Sequence, residues 1–158
     1  MVEVPALGDR GGGWVVVQFA LMAIIVMAGL LGPGWSDGVA RPLSVAGAVL
    51  ALVGGIVAFA AAHALGGALT PFPRPRVGSG VVARGPYRLV RHPMYAAGAL
   101  FLAGLSLAFS PVALALTAVL VVVWALKASV EERFLLQELP GYDAYAERTR
   151  YRLLPFVY

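Results

Sequence analysis

One short segment of the sequence concentrates the side chains that could carry out chemistry. Residues 85–98 read GPYRLVRHPMYAAG and bring together two arginines, a histidine and two tyrosines. From residue 92 to residue 126 the chain then contains no Asp, Glu, Lys or Arg. Polar chemistry therefore meets a long apolar run at a single point, which predicts a reactive site at the boundary between membrane and cytosol.

A pair of glutamates, Glu131 and Glu132, follows shortly after that apolar run ends. Adjacent carboxylates repel each other, and the dipole of a helix disfavours them near its C-terminal end. A cationic partner would relieve both effects. That partner is either an arginine, such as Arg133 or one in the C-terminal tail, or a cationic ligand, and the sequence leaves this choice open.

Several other kinds of site are excluded or disfavoured by composition. The chain has no cysteine, so disulfides, thiolate metal ligands and cysteine nucleophiles are absent. Only two histidines, His63 and His92, are present, and we predict no metal site. The Gly11–Gly13 run precedes an apolar segment rather than following a strand, so it is not a dinucleotide-binding fingerprint.

The elements that must position these side chains are predicted to be membrane helices. The sequence is 60% hydrophobic and 13% charged, whereas soluble domains carry about 25% charged residues. Four apolar segments are candidate spans: residues 14–31, 43–65, 93–109 and 111–127, the last continuing as helix past Glu132. We predict an all-α integral membrane bundle of about four transmembrane helices, in which the short hairpin after residue 93 either spans fully or is re-entrant.

The distribution of basic residues predicts the orientation of the bundle. If the N-terminus is cytoplasmic, Arg41 alone among the 12 Lys and Arg residues falls on the opposite side. We therefore predict that both termini are cytoplasmic, in a bacterial or archaeal cell membrane. Because the basic residues flank apolar spans, they favour this topology over nucleic-acid binding. The N-terminus lacks the features of a cleaved signal peptide.

The C-terminal tail is the other polar region of the sequence. Tyr142, Tyr145 and Arg148 recur every three residues, so they share one face of a helix. The sequence becomes apolar again at residues 153–156. We expect a short cytoplasmic helix over the mouth of the bundle, with its end returning to the membrane.

Each candidate residue also has a purely structural interpretation. Arg91 could reach lipid phosphates, and His92 could cap the helix that follows it. Gly98 either allows a ligand to approach the backbone or serves helix packing. His63 is interpreted as an interfacial or packed histidine. The arginines at positions 74, 76 and 84 are interpreted as topology determinants.

The combination of motifs resembles that of the isoprenylcysteine carboxyl methyltransferase and phospholipid N-methyltransferase superfamily of integral membrane methyltransferases. The pattern is Gly-Pro-Tyr-Arg-x-x-Arg-His-Pro-x-Tyr-x-x-Gly, an apolar hairpin, Glu-Glu, Gly-x-x-x-Tyr and a final Leu-Pro. It occurs here at residues 85–98, 99–130, 131–132, 141–145 and 154–155. One departure is Leu-Pro before Gly141, where many relatives have Phe. The resemblance covers about the C-terminal half of the chain.

This resemblance implies a methyltransferase that uses S-adenosylmethionine, in one domain of residues 1–158. Residues 1–70 would hold two N-terminal spans, and residues 71–158 would form the cofactor-binding half. The implied cofactor-binding residues are Tyr87, His92, Pro93, Tyr95, Gly98, Glu131, Glu132, Tyr145 and Arg148. Catalytic roles are implied for Arg91, which would orient the acceptor, and for Glu132. The implied acceptor is a lipid or small hydrophobic molecule, methylated on a carboxylate, an amine or a thiol.

Two other functions are alternatives. Sterol and steroid reductases share a related Arg-His-Pro-x-Tyr pattern and use NADPH, although this chain is short for that function. A non-enzymatic membrane interaction protein could retain the same fold. Binding of S-adenosylmethionine, of NADPH or of neither separates the three.

Overall fold

Five α-helices make up most of the structure. The computed structural model describes residues 7–154, with helices α1 (Gly12–Leu31), α2 (Asp37–Leu65), α3 (Pro93–Phe109), α4 (Pro111–Glu138) and α5 (Tyr142–Arg148). Short 3-10 turns at Gly66–Ala68 and Gly85–Arg88 interrupt the connector between α2 and α3. Residues 7–154 contain no β-strand, so the predicted all-α class is confirmed. The motif residue Pro155 and the predicted apolar end beyond it lie outside the described residues.

The helices have the lengths and composition of a membrane bundle. The segments Gly12–Leu31, Asp37–Ala68 and Pro111–Glu138 are long and apolar enough to cross a bilayer. Helix α3 is also apolar but has 17 residues, which at 1.5 Å per residue gives about 25 Å. Since a hydrocarbon core is about 30 Å thick, α3 is the short member of the predicted set of four.

The boundaries differ from prediction at one end of α2. This helix begins at Asp37 rather than near residue 43, because Ser36 adopts the extended conformation of an N-cap residue and Asp37 suits the first turn of a helix. Pro42 lies inside the helix. The predicted start of α4 is confirmed, because Ser110 Oγ accepts a hydrogen bond from the backbone N–H of Ala113.

The packing of the bundle leaves one side open. Helix α2 packs along α3, and α1 packs on α4 and more lightly on α3. Within residues 7–154, no extensive contact joins α1 to α2. The α2–α3 interface is close because glycines face backbone atoms. A Cβ added at Gly54 would collide with the backbone of Phe101, and one added at Gly104 would collide with that of Ala51.

We expect Gly54→Ala to lower the thermal stability of the purified protein, whereas Gly55→Ala leaves it unchanged or raises it. A side chain at Gly54 meets α3 backbone, and overpacking of this kind costs about 1–3 kcal/mol. A Cβ at Gly55 would meet the Phe101 ring at 3.7 Å, an ordinary contact, and both substitutions gain helix propensity equally. Thermal unfolding in detergent checks the pair. Equal melting temperatures would contradict the close α2–α3 approach.

Candidate functional site

A cavity of about 530 Å³ lies where α1, α3 and α4 meet the connector and α5. Its volume is typical of sites for small molecules. Most of the site residues predicted from the sequence line it, namely Tyr87, Arg91, His92, Tyr95, Gly98, Glu131 and Tyr145. Three others do not line it, namely Pro93, Glu132 and Arg148. Residues 85–98, α4 and the tail therefore converge, although not every predicted side chain enters the cavity.

One face of α4 forms a wall of the cavity. Trp124, Lys127, Glu131 and Leu135 line it and follow the three-to-four residue spacing of a single helical face. The Tyr95 hydroxyl donates a hydrogen bond of 2.7 Å to Glu131 Oε2. The Tyr95 ring stacks on His92 at 5.7 Å and on Trp124 at 5.9 Å between centroids. Glu131 thus presents a carboxylate that is fixed by a neighbouring phenol.

Helix α5 covers the cavity with two tyrosines, which we call the roof. The Tyr145 hydroxyl donates to the backbone carbonyl of Tyr87 at 2.8 Å, which ties α5 to the start of the His-Pro segment. The Tyr142 hydroxyl is buried and has no hydrogen-bond partner among residues 7–154.

Burial makes the phenols around the roof harder to ionise than an ordinary tyrosine, which is already neutral at physiological pH. It raises the pKa of Tyr145 to about 12. It also raises the pKa values of Tyr87 and Tyr142 above their usual range, with nearby carboxylates adding to the effect. These groups can therefore donate hydrogen bonds without adding negative charge to the cavity.

Glu132 points away from the cavity, into a cluster of cations. Its Oε1 lies 2.6 Å from Arg91 Nε and its Oε2 lies 2.8 Å from Arg152 Nε. His92 Nε2 is 3.4 Å from Oε1, in a geometry that does not form a hydrogen bond. The cationic partner expected for the glutamate pair is therefore found for Glu132, and it is protein rather than ligand.

Arg91 ties the tail to the bundle. Besides pairing with Glu132, its Nη1 donates to three tail carbonyls, those of Ala146, Thr149 and Arg150. The backbone N–H groups of Arg91 and His92 donate to the carbonyls of Tyr151 and Arg152 at 2.9 and 2.8 Å. We call this set of contacts, together with the Glu132 cluster, the tail latch. Arg91 thus directs these donors toward the tail while it also lines the cavity, and its role in orienting an acceptor stays a prediction.

Two other predicted site residues make contacts within the protein. A Cβ added at Gly98 would lie 3.0 Å from the Trp124 ring, so the glycine makes room for that ring. Gly98 also lines the cavity, and its contact with the cofactor stays a prediction. Arg148 is exposed and its Nε donates to the carbonyl of Ala144 in the same helix. Of the predicted α5 face, only the two tyrosines reach the cavity. Pro93 is buried as the first residue of α3.

The sequence interpretation missed Lys127 and Gln18. Lys127 is 1% exposed, and its Nζ donates to Gln18 Oε1 at 2.6 Å and to the carbonyl of Pro71 at 2.7 Å. Gln18 Oε1 also accepts from Trp124 Nε1 at 3.2 Å. A signal for Lys127 was present, because it precedes Glu131 by four residues and so shares its helical face. The only signal for Gln18 was that it is an isolated polar residue within the first predicted span.

A second hollow in the described part of the chain is a weaker candidate for a functional site. A hollow of about 600 Å³ lies beside the cavity, bordered by Arg10, Arg74, Arg76 and Glu138 among others, and it contains none of the predicted site residues. Its Arg74–Glu138 ion pair is partly exposed, so it contributes little stability. Among residues 7–154, no group of three or more His, Cys, Asp or Glu side chains could hold a metal ion.

Comparison with known proteins adds two findings. The phospholipid methyltransferase family matches residues 43–140 of this chain. The cobalt-zinc-cadmium resistance protein CzcN of Cupriavidus metallidurans is 32% identical over 145 residues, which cover 89% of this chain and 61% of that protein. The chain thus spans less than two thirds of the length of this relative.

Proposed function

Because the chain belongs to the phospholipid methyltransferase family, we propose that it transfers a methyl group from S-adenosylmethionine to a lipidic or small hydrophobic acceptor at the cytoplasmic face of the membrane. The observation that carries this proposal is a single cavity with two kinds of lining. Toward α5 it presents Glu131, Tyr95 and the roof, whereas the residues of α1 and α2 that line it are apolar except for Gln18.

The polar part of the cavity fits the methyl donor. S-adenosylmethionine carries a sulfonium and an ammonium group, and when bound it supplies an already activated methyl group. Glu131 provides a carboxylate for a cationic group, and Tyr142 provides a buried hydroxyl that has no hydrogen-bond partner among residues 7–154. A charge-assisted hydrogen bond of this kind contributes about 1.5–3 kcal/mol. The aromatic side chains of Tyr87 and the roof cover the cavity from the side of the tail.

The apolar part of the cavity suggests a route for the acceptor. Phe19 and Met22 of α1 line it from one side, and Ala58 and Leu65 of α2 line it from the other. These two helices have no extensive contact within the described chain. The gap between them would therefore let a hydrophobic molecule enter from the bilayer while the cofactor enters from the cytosol.

In this proposal the protein mainly aligns the methyl donor with the acceptor and excludes water from the reacting groups. Methyl transfer is an in-line displacement, and holding two reactants in near-attack geometry contributes roughly 7–11 kcal/mol. The roof, held down by the tail latch, covers the reacting groups. A carboxylate acceptor needs no base, whereas an amine or thiol must first lose a proton.

We expect the wild-type protein in lipid nanodiscs to transfer label from methyl-tritiated S-adenosylmethionine to organic-extractable material from a bacterial membrane extract. Glu131→Gln should reduce this transfer at least tenfold, because it removes the carboxylate from the cavity. Glu147→Gln, at an exposed position of α5, serves as the matched control and should transfer normally. If the extractable label never exceeds that of empty nanodiscs, whichever lipid fraction of the extract is supplied, the proposal is contradicted.

A further inference from the structure

Lys127 is a buried cation inside the cavity. Its side chain is 1% exposed, yet it belongs to the cavity lining beside Trp124 and Glu131. A lysine at the end of an apolar span ordinarily extends its ammonium group to the interface. Here the ammonium group turns inward, where burial of a charge is costly unless it is paired.

The protein partners of this ammonium group are neutral. Lys127 Nζ donates to the Gln18 amide oxygen and to the Pro71 carbonyl, and it lies 5.4 Å from the centre of the Tyr95 ring. The ion pairs found among residues 7–154 do not include it. An ammonium group has three N–H donors, so two neutral acceptors leave one donor unused and no anion in direct contact with the positive charge.

Glu131 attracts the ammonium group from a distance but forms no ion pair with it. It lies one helical turn from Lys127, about 6 Å along the axis of α4, and its carboxylate accepts from the Tyr95 hydroxyl. The cavity therefore presents a carboxylate near the roof and an ammonium group one turn further from it. Gln18 Oε1 accepts from both Trp124 and Lys127, which leaves its amide N–H groups as additional donors beside the ammonium group.

We propose that Lys127 and Gln18 form a subsite for an anionic group, a carboxylate or similar oxyanion, of the molecule that occupies the cavity. The inference rests on the proposed function only in requiring that the cavity binds a small molecule. Two sources have this chemistry. One is the amino-acid carboxylate of the cofactor, and the other is an acidic head group of the acceptor.

The test uses two pairs of probes that differ only in the anion. S-adenosylhomocysteine is compared with its decarboxylated analogue, and a long-chain fatty acid is compared with the matching alcohol, each by titration of the protein in nanodiscs. In the wild type, at least one acid should bind about ten- to a hundredfold more tightly than its neutral counterpart, the range expected for one charge-assisted bond. The pair that shows this preference identifies the source.

Lys127→Met should remove that preference and leave the affinity for the neutral probe within about threefold. Arg133→Met removes one positive charge from an exposed position of the same helix and should leave the preference intact. A purely structural role of Lys127 would weaken both members of a pair alike. Equal affinity for acid and neutral probe in the wild type, in both pairs, overturns the inference without any variant, even if Lys127→Met does not fold. Absence of adenosyl ligand binding would contradict the proposed function, while the fatty acid pair would still decide the subsite.

Discussion

Replacing Arg91 with alanine is expected to release the C-terminal tail and to lower cofactor affinity at least tenfold. Arg91 joins Glu132 and three tail carbonyls, and removing one partner of a buried ion pair typically costs about 3–5 kcal/mol. Without these contacts, α5 and its tyrosines would no longer cover the cavity. Limited proteolysis of the tail and titration with S-adenosylhomocysteine measure the two effects.

The matched control for this variant is Arg88→Ala, which removes an exposed arginine from the same segment and should change neither measurement. Arg91→Lys should restore little, because an ammonium group cannot reproduce the fork of donors that a guanidinium presents. A tail as resistant to protease as in the wild type, together with unchanged affinity and reduced turnover, would return Arg91 to the role of orienting the acceptor.

The second large effect is expected at Glu131. Glu131→Gln keeps the shape of the side chain but removes its charge from the cavity, so the affinity for S-adenosylmethionine should fall about ten- to a hundredfold. The tail should stay docked, because Glu131 takes no part in the latch. Titration with the cofactor, together with proteolysis of the tail, checks both statements.

Glu132→Gln is the natural counterpart, since it makes the same change one residue further along. It should loosen the tail, because Arg91 and Arg152 both lose a buried carboxylate, and it should affect the cofactor only through that loosening. If Glu132→Gln weakens binding while the tail remains protected, and Glu131→Gln has no effect, the assignment of the two glutamates is reversed.

Convergence of the site could be predicted from the sequence because it follows from topology. Basic residues placed the 85–98 segment, the end of α4 and the tail on one side, and a polar cluster at the end of an apolar helix has few other places to lie. The motif residues Tyr87, His92 and Tyr95 do line one cavity with Glu131. The start of α2 was less predictable, since the apolar run begins at residue 43, whereas the helix begins at Asp37 and passes through Pro42.

The roles of individual residues within the site were harder to predict. They depend on the direction in which each helical side chain points, which composition does not reveal. Successive residues on a helix point about 100° apart, and of the two glutamates Glu131 lines the cavity while Glu132 does not. Their spacing from Trp124 selects Glu131, but only once the Trp124 face is known to be the inner one. Lys127 was missed for the same reason, because a lysine ending an apolar span can point to the interface or into the bundle. The tail latch depends on hydrogen bonds to backbone carbonyls of the tail. Such bonds cannot be predicted from residue types, because every residue has a carbonyl.

We expect the roofed cavity to bind S-adenosylmethionine through Glu131. Calorimetric titration of wild type, Glu131→Gln and Glu132→Gln with S-adenosylmethionine, its demethylated product and NADPH measures this binding. We predict saturable binding of both adenosyl ligands by the wild type, a loss of about ten- to a hundredfold in Glu131→Gln, and no saturable binding of NADPH. Saturable NADPH binding without binding of either adenosyl ligand would show that the cavity is not an S-adenosylmethionine site.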